Sequence, residues 1–279
     1  MCSFLRSANW LPRPLVKWVR DRYLAVLDLN DWVRGRTNDL VPPRSQHFIG
    51  WEDFREIGKG FFRHFVDVCD LRPDETILDI GCGTGRMAIP LLEYIKGAGA
   101  YLGFDISEKA IRWCQDHITS LNPCFTFVFA DIWNKEYNPR GKIAARDYSF
   151  PCKTASIDFA FATSVFTHMR LPDVQHYLVE LHRSLKPSGR AMLTFFIMDE
   201  TNQRLVQDGE ASARFSIKLE NCYTIDRRTP ERAIAYTEVT IRNLFAEAGL
   251  RIKEPIRWGS WSGRANMLTF QDVVIATTM

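Results

Sequence analysis

Short apolar runs alternate with amphipathic stretches along the middle of the chain. Runs of strand length occupy 76–80, 100–106, 125–131, 157–163 and 190–196. Apolar positions at helical spacing lie between them, near 84–96, 107–120 and 172–186. Strands that alternate with helices form a parallel sheet that is covered by helices on both faces. The pattern therefore predicts a doubly wound α/β fold.

The C-terminal part of the chain extends the same sheet. A helical pattern covers about 230–248, and Gly249 can end it as a C-terminal cap. Two further strand patterns, near 251–257 and 271–278, are joined by a loop that contains glycine and serine. Neighbouring strands joined in this way favour an antiparallel hairpin at the sheet edge. We therefore expect a seven-stranded Rossmann-like sheet, mostly parallel, with an antiparallel C-terminal hairpin.

Segments outside this alternation divide the chain. Residues 1–70 carry helical patterns without strands, which predicts an N-terminal helical extension or lid on a domain that covers 71–279. Two stretches of that domain, near 133–155 and 197–229, are too long for simple connections. Long segments of this kind inside a compact domain are usually lids or binding loops. We therefore interpret both as insertions near a site.

Composition excludes several classes of protein. The chain is 46% hydrophobic and 25% charged, as ordinary globular proteins are. No apolar run approaches the length of a membrane span, and the N-terminus lacks the apolar core of a signal peptide. The seven cysteines are scattered without a Cys-x-x-Cys pair, which indicates reduced thiols rather than disulfides or a zinc site. We expect a cytoplasmic protein with no membrane insertion and no bound metal.

Charge is unevenly distributed along the chain. The net charge is +3, and residues 1–46 hold eight basic residues against four acidic ones. Because the acids are interleaved with the bases, we favour a solvated helix face over a nucleic-acid partner. A second group of basic residues leaves two readings open, an anionic acceptor or solvated surface charges. It comprises Arg204, Arg214, Lys218, Arg227 and Arg228.

A glycine-rich turn follows the first predicted strand. In ILDIGCGTG, the glycines at 81, 83 and 85 lead directly into a helical pattern. Glycine is needed where the backbone turns sharply or approaches a ligand closely. A dinucleotide fingerprint would place its third glycine at position 86, where this chain has Arg86. Asp79 precedes the loop, and a carboxylate there suits a cationic ligand better than a pyrophosphate.

Two further acids stand at the ends of the next strands. Asp105 ends the second strand, where its carboxylate can accept hydrogen bonds from a ribose diol. Ile106 beside it offers an apolar surface for a purine. Asp131 ends the third strand, where it can accept from an adenine amino group. Ligands of open α/β sheets bind at the carboxyl ends of the strands, so these acids should converge with the glycine loop on one crevice.

These motifs, in this order over about 71–196, resemble the class I S-adenosylmethionine-dependent methyltransferases. The resemblance implies that S-adenosyl-L-methionine is the cofactor. In that family the glycine loop holds the methionine part, the second-strand acid holds the ribose and the third-strand acid binds adenine. Asp79 as a loop brace, Cys82 as packing and Asp131 as a turn cap remain structural alternatives. The residues that the resemblance assigns to the cofactor are Asp79, Gly81, Cys82, Gly83, Gly85, Asp105, Ile106, Asp131 and Ile132.

The fourth strand ends at ATSVFTHM, where the transferred methyl group should lie. Thr163 and Ser164 are predicted on the cofactor side of the pocket and Phe166 on the substrate side. His168 has the side chain whose pKa best suits proton removal near neutral pH. A structural role at the edge of the pocket is the alternative for His168.

The predicted C-terminal hairpin carries the remaining substrate candidates. Trp258, Trp261 and Arg264 could bind a sugar, an aromatic ring or a carboxylate, or they could pack the hairpin against the sheet. We therefore expect methyl transfer to a small-molecule acceptor, to an oxygen of a sugar, a secondary-metabolite hydroxyl or a carboxylate. A non-catalytic S-adenosylmethionine-binding module and a nicotinamide-dependent dehydrogenase are the alternatives. The sequence does not indicate the oligomeric state.

Overall fold

A computed structural model describes the chain at residues 13–33, 40–44, 54–135, 137–265 and 267–279. The first twelve residues, which include Cys2, lie outside the described residues. So does part of the remaining basic N-terminal stretch. Two N-terminal helices are present, α1 at Arg13–Val33 and α2 at Phe54–Asp67.

The main sheet has the predicted seven strands. In chain order they are β1 Thr76–Ile80, β2 Ala100–Asp105, β3 Phe125–Phe129, β4 Ile157–Ala162, β5 Leu185–Phe195, β10 Leu250–Ile252 and β11 Asp272–Thr278. The spatial order is β10-β11-β5-β4-β1-β2-β3. The strands β1 to β5 pair in parallel, whereas β11 runs antiparallel to both β5 and β10. The predicted fold class is therefore confirmed.

Helices cover both faces of this sheet. They are α3 Ala88–Leu91, α4 Glu108–Cys114 with a π-helical continuation Gln115–Thr119, α5 Leu171–Ser184 and α7 Glu238–Glu247. Each face of the sheet has its own cluster of buried apolar side chains, because successive residues of a strand point to opposite faces. In β4, Phe159 and Phe161 belong to one cluster. Ala160 and Ala162 belong to the other. Phe65 of α2 is fully buried and stacks on Phe161 at 4.4 Å between ring centroids. The helix α2 is therefore part of the core, and the role of residues 1–70 as a helical extension or lid stays a prediction.

Two predicted helices are shorter in the structure. The pattern at 84–96 forms a single α-helical turn, α3, between turns. The pattern at 230–248 contains a 3₁₀ turn at Pro230–Arg232 and the strand β9 Ile234–Thr237 before α7 begins. The Thr237 hydroxyl accepts a hydrogen bond from the Thr240 amide at 3.1 Å, which caps α7. Gly249 follows the helix with φ +76, as expected of a C-terminal cap.

The insertion at 197–229 is largely folded. It forms β6 Ile197–Met198, α6 Glu200–Gln207, β7 Ile217–Lys218 and β8 Tyr223–Thr224. With β9 these strands make a second sheet in the order β6-β9-β8-β7. The hydrophobic pattern did not predict this accessory sheet. Each of its strands is only two to four residues long, which is too short for an alternation of apolar and polar residues to be recognised.

One buried acid joins the accessory sheet to the main sheet. The Asp272 carboxylate of β11 accepts hydrogen bonds from the backbone N–H groups of Ile197 and Gly259, each at 2.7 Å. It also accepts from the Trp261 indole Nε1 at 2.8 Å. Burial raises the pKa of Asp272 to about 7, although these donors oppose the shift. The donors come from two separate segments, β6 and the hairpin loop at 259–261, so this carboxylate fixes their relative positions.

Candidate active site

A cavity of about 630 Å³ opens at the carboxyl ends of the central strands. Its volume is typical of small-molecule and cofactor sites. Ligands of open α/β sheets bind at this edge, where the direction of the strand order reverses. Many of the residues predicted for the site line this cavity: Gly81, Gly83, Asp105, Ile106, Ile132, Thr163, Ser164 and His168.

The glycine loop forms one wall of the cavity. The Gly81 and Cys82 amides both donate to the Phe104 carbonyl oxygen, at 2.9 and 3.0 Å, which ties the loop to β2. Gly81 has φ +77, and a Cβ there would lie 2.5 Å from Cγ2 of Val165. Gly83 has φ +52, but a Cβ there would meet no heavy atom within 4 Å. Gly81 is thus required by the fold, whereas the space above Gly83 is open to a ligand.

Asp105 links the loop to β2 and faces the cavity. One carboxylate oxygen accepts from the Gly83 amide at 2.9 Å and the other from the Ser107 amide at 2.7 Å. A carboxylate oxygen has two lone-pair positions, so each can still accept a hydroxyl of a ribose diol. Burial raises the pKa of Asp105, and these backbone donors oppose that rise. The arrangement fits an adenosine bound across β1 and β2.

Three residues assigned to the cofactor lie behind this wall. Asp79 is buried and accepts a hydrogen bond from the Tyr101 hydroxyl. Burial raises the pKa of Asp79 to about 8, so the acid is largely protonated at neutral pH. Cys82 is also buried, and burial raises the pKa of its thiol far above the usual range. Gly85 packs against Ile118 and Cys114. In the fold these residues brace the loop.

Asp131 does not line the cavity either, although Ile132 next to it does. Its carboxylate lies 3.7 Å from the Lys142 ammonium group and is partly exposed. Its backbone carbonyl accepts from the Lys142 and Ile143 amides, at 2.9 and 3.0 Å. The contact of Asp131 with an adenine amino group therefore stays a prediction.

His168 stands on the cavity wall beyond the end of β4. Its Nδ1 lies 2.9 Å from the Glu231 backbone carbonyl oxygen. A carbonyl can only accept, so this contact assigns the proton of the neutral imidazole to Nδ1 and leaves a lone pair on Nε2. The Glu231 carboxylate in turn accepts from Nε of Arg170 at 2.6 Å, which holds the 3₁₀ turn in place. This geometry prepares Nε2 of His168 to accept a proton.

The end of β4 also has an unusual backbone. Ser164 has φ +60, a left-handed conformation that non-glycine residues rarely adopt. Its amide donates to the Thr194 hydroxyl at 2.8 Å, and its own hydroxyl donates to Oε1 of Gln271 at 3.2 Å. Strained backbone of this kind is found preferentially at ligand sites.

Other cavity residues were missing from the sequence prediction. The insertion near 133–155 contributes an aromatic and basic rim, and α5 contributes two polar side chains to the wall. A signal was available for α5, because the first turns of the helix after the fourth strand lie at the same sheet edge. These residues are Trp133, Lys135, Tyr137, Arg146, Asp173 and Tyr177; Arg228, one of the basic residues for which the sequence left an anionic acceptor open, also lines the cavity.

The predicted substrate residues lie elsewhere. Phe166 is fully buried and stacks on Phe195 at 4.9 Å between ring centroids. Trp261 is also fully buried. Trp258 and Arg264 line a separate surface groove of about 690 Å³, where the guanidinium lies 4.1 Å from the centre of the Trp258 ring and pairs with Asp199. The structure thus places none of the four in the cavity, because the hairpin packs against the sheet and the accessory elements.

Two features are absent from the residues that the structure describes. Within 13–33, 40–44, 54–135, 137–265 and 267–279, no cluster of His, Cys, Asp and Glu could hold a metal ion. No helix in the same ranges is sufficiently long and apolar to cross a membrane.

Comparison with known proteins assigns the fold to a family. Residues 77–189 match the family described as a methyltransferase domain. A 27-O-demethylrifamycin SV methyltransferase from Amycolatopsis mediterranei is 30% identical over 206 residues, which are 72% of this chain and 66% of the relative. A tRNA N(3)-methylcytidine methyltransferase from Schizosaccharomyces pombe is 26% identical over 184 residues, 60% of this chain and 56% of that protein.

The solved structures agree on the fold. The crystal structure of the PH0226 protein from Pyrococcus horikoshii OT3 superposes with a TM-score of 0.57 at 18% identity, covering 84% of this chain and 95% of that one. The chain spans less than half the length of several other curated relatives that it matches. The match to a methyltransferase domain excludes the nicotinamide-dependent dehydrogenase that was the alternative. It agrees with the spacing of the loop glycines, which differs from a dinucleotide fingerprint. The chain belongs to the class I S-adenosylmethionine-dependent methyltransferases.

Proposed function

We propose that this protein transfers a methyl group from S-adenosylmethionine to an oxygen nucleophile of a small molecule, with His168 as the general base. The observation that carries the proposal is the contact between Nδ1 of His168 and the Glu231 carbonyl, at 2.9 Å. It lies in the same cavity as Gly83 and Asp105. A hydroxyl acceptor has a proton to lose, and an imidazole with a free Nε2 can take it near neutral pH.

Different residues of the cavity would bind the cofactor and accept the proton. S-adenosylmethionine, when bound, supplies a methyl group that its sulfonium already activates. Gly81, Gly83 and Asp105 would hold the methionine and ribose parts, with Ile106 and Ile132 against the purine. Nε2 of His168 takes the hydroxyl proton of the acceptor as that oxygen acquires the methyl group. Because the donor is activated, alignment of the two reactants provides much of the rate.

Two relatives are named for different kinds of methyl acceptor. The relative named for 27-O-demethylrifamycin SV supports an oxygen atom of a small molecule. The relative named for tRNA N(3)-methylcytidine supports a nucleic-acid nitrogen instead. We favour the small molecule because cytidine N3 carries no proton, so its methylation would leave a general base without a role. A binding module without turnover is the remaining alternative.

Two measurements test the proposal. Calorimetry with S-adenosylmethionine, S-adenosylhomocysteine and NAD should show binding of the first two and none of the third. Release of S-adenosylhomocysteine should then be followed over a panel of hydroxylated small molecules, their amino analogues and transfer RNA. Turnover with a hydroxyl acceptor is the expected result. Turnover only with amines or tRNA would refute the oxygen acceptor, and donor binding with no turnover on any acceptor would favour the binding module.

A further inference from the structure

The part of the cavity lining contributed by the two insertions, α5 and the 3₁₀ turn has an excess of positive charge. Its lining includes Lys135, Arg146, Arg170 and Arg228 and the carboxylates of Asp173 and Glu231. Glu231 is paired with Arg170 at 2.6 Å, and Asp173 faces Arg146. Among the described residues, Lys135 and Arg228 have no partner within ion-pair distance. Among the described residues that line the cavity, apart from Asp105 at the predicted ribose site, cations therefore outnumber acids by four to two.

The same rim presents exposed aromatic rings. The side chains of Trp133 and Tyr137 line the cavity, yet they are 55% and 40% exposed. Large aromatic side chains at the mouth of a pocket provide flat apolar faces on which a planar ligand can stack. They come from the insertion that also contributes Lys135 and Arg146, so ring faces and cations lie on one rim.

We infer that the methyl acceptor is a planar aromatic molecule that carries a carboxylate beside its hydroxyl nucleophile. The ring would stack at Trp133 and Tyr137, and the carboxylate would face Arg228 and Lys135. The nucleophile would then have to reach His168, which lines the same cavity. An Arg side chain can donate two parallel hydrogen bonds to a carboxylate, which orients the ring as well as binding it. This inference rests on the proposed function and narrows its substrate class.

The chain offers a matched control for the anion contact. Arg227 adjoins Arg228 in sequence and is exposed, but it does not line the cavity. Arg227→Gln and Arg228→Gln remove the same charge from neighbouring positions. An effect of general surface charge would therefore appear in both variants, whereas a contact with the acceptor would appear only in Arg228→Gln.

The test measures the affinity of the full chain for hydroxybenzoates and the corresponding hydroxybenzamides, with S-adenosylhomocysteine saturating. We expect the acids to bind about fivefold more tightly than the amides, as for a solvent-exposed ion pair. Arg228→Gln should lower this preference, with Lys135 keeping part of it, and Arg227→Gln should retain it in full. Equal affinity for acids and amides, the same loss in both variants, or no binding of either series would overturn the inference.

A second arm tests the ring contact. Hydroxycyclohexane carboxylates keep the charge and the hydroxyl but not the planar face. They should bind several-fold more weakly than hydroxybenzoates to the wild type, and Trp133→Leu should remove the difference. No difference in the wild type, or tighter binding of a single-stranded RNA oligonucleotide than of any acid, would refute an aromatic acid as acceptor. Binding of S-adenosylhomocysteine itself reports on the proposed function, so the two hypotheses can fail separately.

Discussion

Nδ1 of His168 lies 2.9 Å from the backbone carbonyl oxygen of Glu231, which is 63 positions further along the chain. His168 follows β4 of the main sheet, whereas Glu231 belongs to the 3₁₀ turn that leads into β9 of the accessory sheet. The orientation of the proposed base therefore depends on a segment outside the family match at 77–189. Four variants of the cavity and one of the buried loop brace test this view of the site.

Replacing His168 by Gln should lower kcat by about 100-fold or more, because general-base catalysis typically contributes about 10²–10⁴-fold. The affinity for S-adenosylhomocysteine should not change, since the imidazole is assigned to the acceptor. Single-turnover methyl transfer and calorimetry separate the two quantities. His176→Gln is the control, because Nε2 of His176 also faces a backbone carbonyl, that of Tyr148 at 2.8 Å, outside the cavity. A kcat within threefold of wild type for His168→Gln would assign this side chain a structural role.

Asp105→Ala should weaken binding of S-adenosylhomocysteine by about tenfold or more. The substitution removes the acceptor for a ribose diol and also leaves the Gly83 and Ser107 amides without their partner, and a hydrogen bond to a charged group contributes about 1.5–3 kcal/mol. Calorimetry measures the effect, and Asp116→Ala at an exposed helical position is the control. Unchanged donor affinity in a folded Asp105→Ala protein would contradict the assignment of this carboxylate to the cofactor.

Asp79 should make the stability of the protein depend on pH. Its pKa is about 8 in the fold, against an ordinary value near 3.8, so the folded chain retains a proton that the unfolded chain loses from about pH 4 upward. The stabilisation is complete below pH 4, declines as pH rises and is absent above pH 8. The free energy of unfolding should fall by up to about 1.4 kcal/mol per pH unit in this interval.

Urea denaturation of Asp79→Asn between pH 5 and pH 8 checks this dependence. The variant lacks the titrating proton, so its stability relative to wild type should increase as the pH rises. Asp116→Asn should keep the wild-type slope. Parallel pH profiles for Asp79→Asn and the wild type would show that Asp79 is ionised in the fold, and the Tyr101 contact would then be that of a charged carboxylate.

The two loop glycines should differ in their tolerance of alanine. Gly81→Ala combines a positive φ with a Cβ only 2.5 Å from Val165, so it should lower the free energy of unfolding by about 2 kcal/mol or more. Gly83→Ala retains the strain of its φ but meets no atom within 4 Å, so its loss should be about 1 kcal/mol. Chemical denaturation compares them directly. Equal losses would mean that the contact with Val165 relaxes freely.

Much of the fold followed from the sequence because strands of five or more residues carry a readable period. The order of glycine loop and strand-end acids also located the cavity, and Gly83, Asp105 and Ile106 do line it. Pattern alone could not place Asp79, since a strand residue next to a site can point to either face. In the structure its carboxyl group is buried and accepts a hydrogen bond from Tyr101 of β2, two positions from the register partner Gly103.

The acceptor side was the least predictable part. Trp261 looked like a substrate contact, but its indole N–H is satisfied by Asp272 in the interior. Trp261 and Asp272 are close because of the register of β11 and the path of the hairpin. Neither can be predicted from the local pattern of apolar and polar residues. Arg228 and Trp133, by contrast, lie in segments with no regular pattern, and only the folded insertions bring them to the same cavity.

The carbonyl of Glu231 has a consequence for how this enzyme could diversify. Residues 228–231 line the pocket where an acceptor must fit, and the same turn holds the imidazole of His168. Any remodelling of that turn to admit a new compound will also move or release the imidazole. Substrate selectivity and catalytic rate therefore depend on the same contact between His168 and Glu231. A change of substrate should require paired substitutions, one on each side of this contact.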